Sequence, residues 1–69
     1  SPEEVLAERI SLAEILKRLN ESDRQLIRLR FYAGKTQSKT AQILGTTQVQ
    51  ISRRERKILK WMRKELTGE

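Results

Sequence analysis

Apolar residues recur at helical spacing in four successive segments of the chain, and short polar breaks separate these segments. The pattern predicts two support helices over residues 2–19 and 21–33, followed by a helix pair over residues 36–66. No segment shows the strict alternation that is typical of a half-buried strand. We therefore predict an all-α fold, a single small four-helix domain over residues 1–69 without winged elements.

Polar and glycine residues mark where the predicted helices begin and end. Ser1 followed by Pro2 is typical of a helix start, and either Asn20 or Ser22 can cap the second helix. Gly34 follows the second helix, at a position where glycine is favoured. A chain that starts directly on a helix cap also suggests a segment of a longer protein.

The apolar stripes predict which side chains are buried. In the second helix we expect Phe31 and Tyr32 in the core, and in the third helix Ile43 faces inward with its neighbours. Glu55 falls on the stripe of the last helix, where a lone buried carboxylate would be costly, so we predict an ion pair with Arg30. The apolar stripe of the last helix comprises Ile51, Ile58, Leu59, Met62 and Leu66.

Residues 36–66 contain a short helix, a glycine turn and a longer basic helix. Thr36 and Thr47 are the predicted caps, and Gly45 lies between the two helices. This order is typical of a helix-turn-helix, in which the second helix enters the major groove of DNA.

The charge of the chain is unevenly distributed. Fifteen Lys and Arg residues against nine Asp and Glu residues give a net charge of +6. Residues 1–23 hold six acidic and three basic side chains, whereas residues 24–69 hold three acidic and twelve basic ones. The asymmetry indicates either a polyanionic partner for the basic half or a solvated basic surface.

The start of the last helix carries side chains that can read bases. Its first turn contains no acidic residue, so the positive end of the helix dipole is free to meet a phosphate or a base acceptor. Gln48 and Gln50 can pair with an adenine edge, Arg53 with guanine, and Val49 with a thymine methyl group. A solvated amphipathic helix packed on a bundle is the alternative interpretation.

Other classes of function have little support in the sequence. Histidine, cysteine, a glycine-rich phosphate loop and clustered carboxylates are all missing, so we expect no enzyme, no metal and no cofactor. No apolar run approaches the ~20 residues of a membrane span, and no signal peptide is visible. We predict a cytoplasmic protein.

Two sequence motifs resemble a known family. Residues Leu16–Phe31 follow L-x-x-L-N-x-x-D-R-x-L-I-x-L-R-F, and residues Lys35–Arg53 follow K-T-Q-x-x-x-A-x-x-L-G-T-T-Q-V-Q-I-S-R. Together they resemble region 4, the C-terminal domain of bacterial RNA polymerase sigma factors, in the sporulation and general-stress branch (sigma-F, sigma-G, sigma-E and sigma-B). The resemblance covers residues 12–66 and implies that the chain is a fragment of a longer sigma factor.

This resemblance implies promoter recognition. In the family, region 4 binds the upstream (minus-thirty-five) promoter element as double-stranded DNA through its helix-turn-helix. The positions of the family's base-reading residues correspond to Gln48, Val49, Ser52 and Arg53. The candidates for contact with the DNA backbone are Thr36, Lys39, Gln42, Thr47, Arg56, Lys57 and Lys60.

The resemblance also implies protein partners. Region 4 docks on the β flap of the RNA polymerase core, and anti-sigma factors or activators bind it. We name Phe31 and Trp61 as interaction candidates, although the position of Trp61 beside the stripe favours a role in covering the edge of the core. The alternatives are a protein-interaction module bound by an anti-sigma factor or activator, and a helix-turn-helix of another regulator class such as a response-regulator effector domain.

Four residues depart from the family pattern. Lys39 stands where glutamate is usual, and Thr40 and Thr46 stand where isoleucine or valine is usual. Arg54 replaces an aliphatic residue, and we expect its stem to lie along the apolar stripe with its head in water. These substitutions predict a thinner core around the turn.

Overall fold

Four helices follow one another in the computed structural model, which describes residues 11–68, and no strand occurs within that range. Helix α1 spans Leu12–Arg18. Helix α2 spans Glu21–Ile27 and continues through a π-helical turn, Arg28–Tyr32. Helix α3 spans Gln37–Leu44, and α4 spans Gln48–Thr67. The predicted all-α architecture with a helix-turn-helix is therefore confirmed for the part of the chain described.

Side-chain caps fix where the helices begin. Thr36 accepts a hydrogen bond from the backbone N–H of Lys39 at 3.0 Å, and Thr47 accepts one from Gln50 at 3.2 Å, as predicted. Asn20, rather than Ser22, caps α2. Each cap satisfies a backbone donor that would otherwise lack a partner at a helix start.

Ser11 caps α1, which begins at Leu12. The predicted continuous helix over residues 2–19 is therefore wrong, because the chain is not helical at Ser11. The backbone of Ser11 is extended, and its hydroxyl accepts a hydrogen bond from the N–H of Glu14 at 3.2 Å. A serine followed three residues later by glutamate is a capping signal that the long apolar stripe obscured. The predicted start at Ser1 and Pro2 lies outside the described residues.

The core lies where α4 crosses the three preceding helices. Ile51, Ile58 and Met62 are buried, which confirms the central part of the predicted stripe. Leu16, Leu44 and Trp61 pack against this cluster and are half-buried. The remaining buried apolar residues are Ile15, Leu19, Leu26, Ile27 and Ala41.

Several residues predicted to be in the core lie at the surface. Phe31 is 52% exposed and Tyr32 is 65% exposed. Arg30 follows the buried Leu26 by four residues and therefore takes the inward position on this helix, which leaves the next two side chains outside. Ile43 is 50% exposed, because it lies about 100° around α3 from the face formed by its buried neighbours.

The predicted stripe of α4 is too wide at one edge. Leu59 and Leu66 are exposed, since they lie about 60–80° around the helix from Ile51. The head of Arg54 does not extend into water as predicted. It donates hydrogen bonds to the hydroxyl of Ser22 at 2.6 Å and to the carboxylate of Asp23 at 3.0 Å, joining α4 to the start of α2.

Arg24 joins α1 to α2. Its guanidinium donates to the carbonyl oxygens of Leu16 at 3.1 Å, Leu19 at 2.8 Å and Lys17 at 3.3 Å. These carbonyls lie at the C-terminal end of α1, where backbone acceptors lack the usual i+4 helical donors and where a positive charge is favoured. Arg24 therefore satisfies the end of one helix from the next.

The turn between α3 and α4 is a Schellman motif. Gly45 adopts a left-handed backbone with φ of 72°, and the N–H of Thr46 donates to the carbonyl of Ala41 at 2.9 Å. Glycine is favoured here because a side chain would strain this backbone conformation. The predicted turn at Gly45 is confirmed.

Thr40 offers a test of packing beneath this turn. Its side chain is fully buried, and its hydroxyl has no hydrogen-bond partner among residues 11–68. We expect Thr40→Val to raise the free energy of unfolding by about 1 kcal/mol, because a buried unsatisfied donor is removed without changing side-chain shape. Urea denaturation followed by circular dichroism measures this change.

Thr46→Val is the matched control, because the Thr46 hydroxyl donates to the Gln50 side chain. No gain in stability is expected for this variant. A Thr40→Val protein that unfolds at lower urea concentration than the parent would contradict the prediction.

Candidate nucleic-acid interface

A half-buried ion pair connects α2 to α4 behind the start of the long helix. Arg30 Nε donates to Glu55 Oε1 at 2.5 Å, as predicted from the position of Glu55 on the apolar stripe. Arg30 Nη1 donates to the backbone carbonyl of Lys35 at 2.6 Å, and its guanidinium carbon lies 5.6 Å from the centre of the Phe31 ring. The carboxylate thus has a charged partner that is itself held in place.

Two glutamines extend this ion pair to the surface. Gln37 Nε2 donates to Glu55 Oε2 at 2.8 Å, and Gln48 Nε2 donates to Gln37 Oε1 at 2.7 Å. Gln37 is the first residue of α3 and Gln48 the first residue of α4. We call this series of hydrogen bonds, from Arg30 through Glu55 and Gln37 to Gln48, the amide relay. Sequence reasoning missed the role of Gln37.

The four predicted base-reading residues lie together on the first two turns of α4. Gln48, Val49 and Arg53 are exposed, and Ser52 is half-buried at the edge of the same surface. Val49 is 55% exposed, so its methyl groups are accessible on this surface. An α-helix of this kind fits the major groove, where side chains of its N-terminal turns reach base edges.

Gln50 differs from Gln48 in what it can offer. The hydroxyl of Thr46 donates to Gln50 Oε1, which turns this side chain back toward the turn. One of the two lone pairs of its acceptor oxygen is thereby used, whereas no side chain among residues 11–68 donates to the acceptor oxygen of Gln48. Of the two glutamines considered for an adenine edge, Gln48 is therefore the better placed.

The charges of α4 are separated by sign. Its two carboxylates are paired with cations from other helices, Glu55 with Arg30 and Glu65 with Arg18 at 3.4 Å. Six basic side chains of α4 are exposed and pair with no carboxylate among residues 11–68. They are Arg53, Arg56, Lys57, Lys60, Arg63 and Lys64.

Comparison with known proteins identifies this arrangement. The family model described as "Sigma-70, region 4" matches residues 15–64. This range includes all four helices except the start of α1 and the end of α4. The chain belongs to the sigma-70 region 4 family. This match favours the sigma-factor interpretation over another regulator class.

Relatives of this region 4 domain carry sporulation sigma-factor names. The chain is 44% identical over 64 residues to the RNA polymerase sigma-F factor of Bacillus licheniformis, covering 93% of this chain and 25% of the relative. It is 39% identical over 59 residues to the RNA polymerase sigma-G factor of Bacillus subtilis (strain 168), covering 86% and 23%. The predicted resemblance to the sporulation branch is confirmed.

The region 4 domain spans about a quarter of the length of the curated relatives it matches, since 25% of the first relative is covered. No solved structure gives a significant match. Within residues 11–68, no helix is long and apolar enough to cross a membrane, and no cluster of three potential metal ligands occurs.

The DNA-backbone candidates of the region 4 domain fall into two groups. Thr36 and Thr47 are helix caps, and the ammonium of Lys39 lies 3.5 Å from the side-chain oxygen of Gln42 on α3. Arg56 and Lys60 are exposed on α4 beyond the base-reading surface.

Lys57 lies on the exposed basic face of α4, about 40° around the helix from Arg53 and about 60° from Lys60. It lines a groove of about 480 Å³ between α4 and the α1–α2 connection.

The two protein-interaction candidates do not share a surface. Trp61 lines the same groove as Lys57, is half-buried and packs against the core, which supports its role as a cover of the core edge. Phe31 lies at the end of α2 and is more than half exposed. Of the two, only Phe31 leaves a large apolar surface available.

The Arg30–Glu55 pair gives a stability prediction. Arg30→Met leaves the Glu55 carboxylate without its cation, so we expect a loss of about 2 kcal/mol in the free energy of unfolding, below the range for fully buried pairs because Arg30 retains some exposure. The double variant Arg30→Met/Glu55→Met should regain much of this loss. Urea denaturation of the parent, Arg30→Met and the double variant measures the loss and its recovery.

Arg18→Met is the control, because the Arg18–Glu65 pair is more exposed. Such pairs contribute at most about 1 kcal/mol. Equal losses for Arg30→Met and Arg18→Met would contradict a special role of the half-buried pair.

Proposed function

We propose that this domain binds double-stranded promoter DNA sequence-specifically, at the upstream (minus-thirty-five) element, as the C-terminal domain of a sigma factor. Through this contact it helps to direct RNA polymerase to transcription start sites in the bacterial cytoplasm, on the nucleoid. The observation that supports the proposal is the exposed start of α4, where Gln48, Val49 and Arg53 lie together without an acidic neighbour.

The parts of this surface have distinct tasks. The exposed amide, methyl and guanidinium groups match what base edges present in the major groove. The uncovered N-terminal end of α4 and the exposed cations beyond it attract phosphates, which carry no sequence information but fix the position of the protein. Sequence preference should therefore depend on the first two turns, and overall affinity on the cations that follow.

The salt dependence of DNA binding tests this proposal. We expect fluorescence anisotropy with a duplex selected from a random library to show a plot of log K against log salt with a slope of about −3 to −5. That slope corresponds to three to five phosphates neutralised by the exposed cations. A scrambled duplex should bind more weakly with a similar slope. Binding that is insensitive to both salt and sequence would remove the proposal.

Two substitutions on α4 separate base reading from phosphate contact. Arg53→Ala should cost about 1–3 kcal/mol of binding free energy with the selected duplex and flatten the preference at one base pair, because a bidentate contact with guanine is lost. Lys60→Ala should weaken binding to the selected and the scrambled duplex equally, because phosphate contacts are independent of sequence. The same change in preference for both variants would contradict this division.

A second contact of this domain is with the RNA polymerase core. We propose that Phe31 and its exposed neighbour Tyr32 form an apolar surface for the β flap, with an anti-sigma factor or an activator as competing partners. The supporting observation is the exposure of these aromatic side chains at the end of α2. An exposed aromatic pair loses water-accessible apolar area on docking, which favours association.

Phe31→Ser tests the polymerase contact without disturbing the core. We expect it to weaken binding to RNA polymerase core about tenfold while leaving DNA affinity unchanged, because an exposed phenyl ring is removed from a docking surface. Ile43→Ser is the matched control, since Ile43 is equally exposed but lies on α3. Equal weakening by both variants would argue against a specific role of Phe31.

A further inference from the structure

The amide relay has a direction that its carboxylate imposes. An ionised carboxylate only accepts hydrogen bonds, whereas a glutamine amide has a donor end and an acceptor end that can exchange places. Because Glu55 Oε2 needs a donor, Gln37 must turn its Nε2 toward Glu55 and its Oε1 toward Gln48. Gln48 must in turn direct its Nε2 toward Gln37.

This direction determines what Gln48 shows to DNA. One hydrogen of its Nε2 is engaged by Gln37 Oε1, and the other remains free beside an unengaged Oε1. A donor next to an acceptor complements adenine, whose N7 accepts and whose N6 donates. Guanine presents two acceptors, N7 and O6, and is not complemented by this arrangement.

We infer that Gln37 is a positioning residue for specificity, which holds the Gln48 amide in the orientation that selects adenine, and that Glu55 sets this orientation. The inference rests on the proposed DNA-binding function and adds the base that Gln48 reads and the residues that decide it. Arg30 completes the relay, because it engages the other oxygen of Glu55 and so leaves Oε2 for Gln37.

Reversal of the relay follows from the same geometry. In Glu55→Gln the oxygen of the new amide stays with Arg30, which can only donate, and the nitrogen therefore faces Gln37. Gln37 then turns its oxygen toward position 55 and its nitrogen toward Gln48. Gln48 must accept with its oxygen and present two N–H groups outward, which is the pattern that guanine O6 and N7 accept.

Selection from a randomised duplex library, followed by sequencing of the bound fraction, tests the inference with the full chain. The position read by Gln48 is the one whose preference disappears in Gln48→Ala. We expect adenine there for the parent protein. In Gln37→Met the adenine preference at that position should fall about two- to tenfold, because Gln48 is no longer held before it binds.

Glu55→Gln should shift the preference at the same position from adenine toward guanine. The preference that is lost in Arg53→Ala should be unchanged in both relay variants. Gln25→Met is the control for the substitution itself, because Gln25 is an exposed residue of α2 outside the relay. It should bind as the parent does.

A measurement without DNA distinguishes positioning from folding. Nitrogen-15 relaxation of the Gln48 side-chain amide should report an ordered group in the parent and a mobile one in Gln37→Met. Circular dichroism should show the same helix content for both proteins. A Gln48 amide that is equally mobile in the two proteins would overturn the inference.

The selection outcomes separate the inference from the function on which it rests. A parent protein that shows no sequence preference removes both the proposed function and the relay. A parent that prefers adenine, with the same preference kept in Gln37→Met, overturns the relay alone. A base other than adenine at the Gln48 position, or an equal loss of preference at every position in Gln37→Met, also overturns it.

Discussion

The burial of one carboxylate, Glu55, beside the guanidinium of Arg30 is the constraint on which the rest of the structure depends. A charged group on the inner face of a helix needs both a counter-charge and hydrogen bonds, because desolvation is otherwise costly. Arg30 supplies the charge from α2, and Gln37 supplies a hydrogen bond from α3. Three helices therefore meet at one side chain of α4. An apolar residue at this position would tolerate rotation and sliding of α4, whereas the carboxylate favours one register.

The same carboxylate connects the core to the proposed DNA surface. Glu55 is buried away from DNA, yet Gln37 links it by hydrogen bonds to Gln48 at the exposed start of α4. Charge is arranged in a similar way, because cations from α1 and α2 neutralise the two carboxylates of α4 and leave its exposed basic side chains for an external polyanion. Local packing and long-range electrostatics thus both favour DNA binding at the same face of α4.

Much of this fold is predictable from the sequence, because the signals are local. Thr36, Gly45 and Thr47 mark helix ends through short-range hydrogen bonding and backbone conformation, and each is used as predicted. The partner of Glu55 was also predictable, since a charge on an apolar stripe demands a cation nearby. These inferences need only the spacing of residues along one or two helices.

The remaining features depend on how helices pack, which spacing does not reveal. Phe31 was wrongly placed in the core because Arg30 occupies the inward position of α2. Arg24 and Gln37 were not singled out, because their partners lie on other elements of the chain. The side-chain bond between Gln37 and Gln48 crosses the turn, and only the relative placement of α3 and α4 brings the two amides together. The base-reading assignments themselves remain predictions.

The unequal lengths of α3 and α4 have a consequence for local unfolding. Twenty residues make α4 ~30 Å long, whereas the eight residues of α3 extend only ~12 Å. The last turns of α4 therefore extend past α3, and an exposed pair between Glu65 and Arg18 contributes little to holding them. Amide hydrogens should consequently exchange fastest near Thr67 and slowest near Glu55, so the helix can fray at its far end while its first turns stay folded.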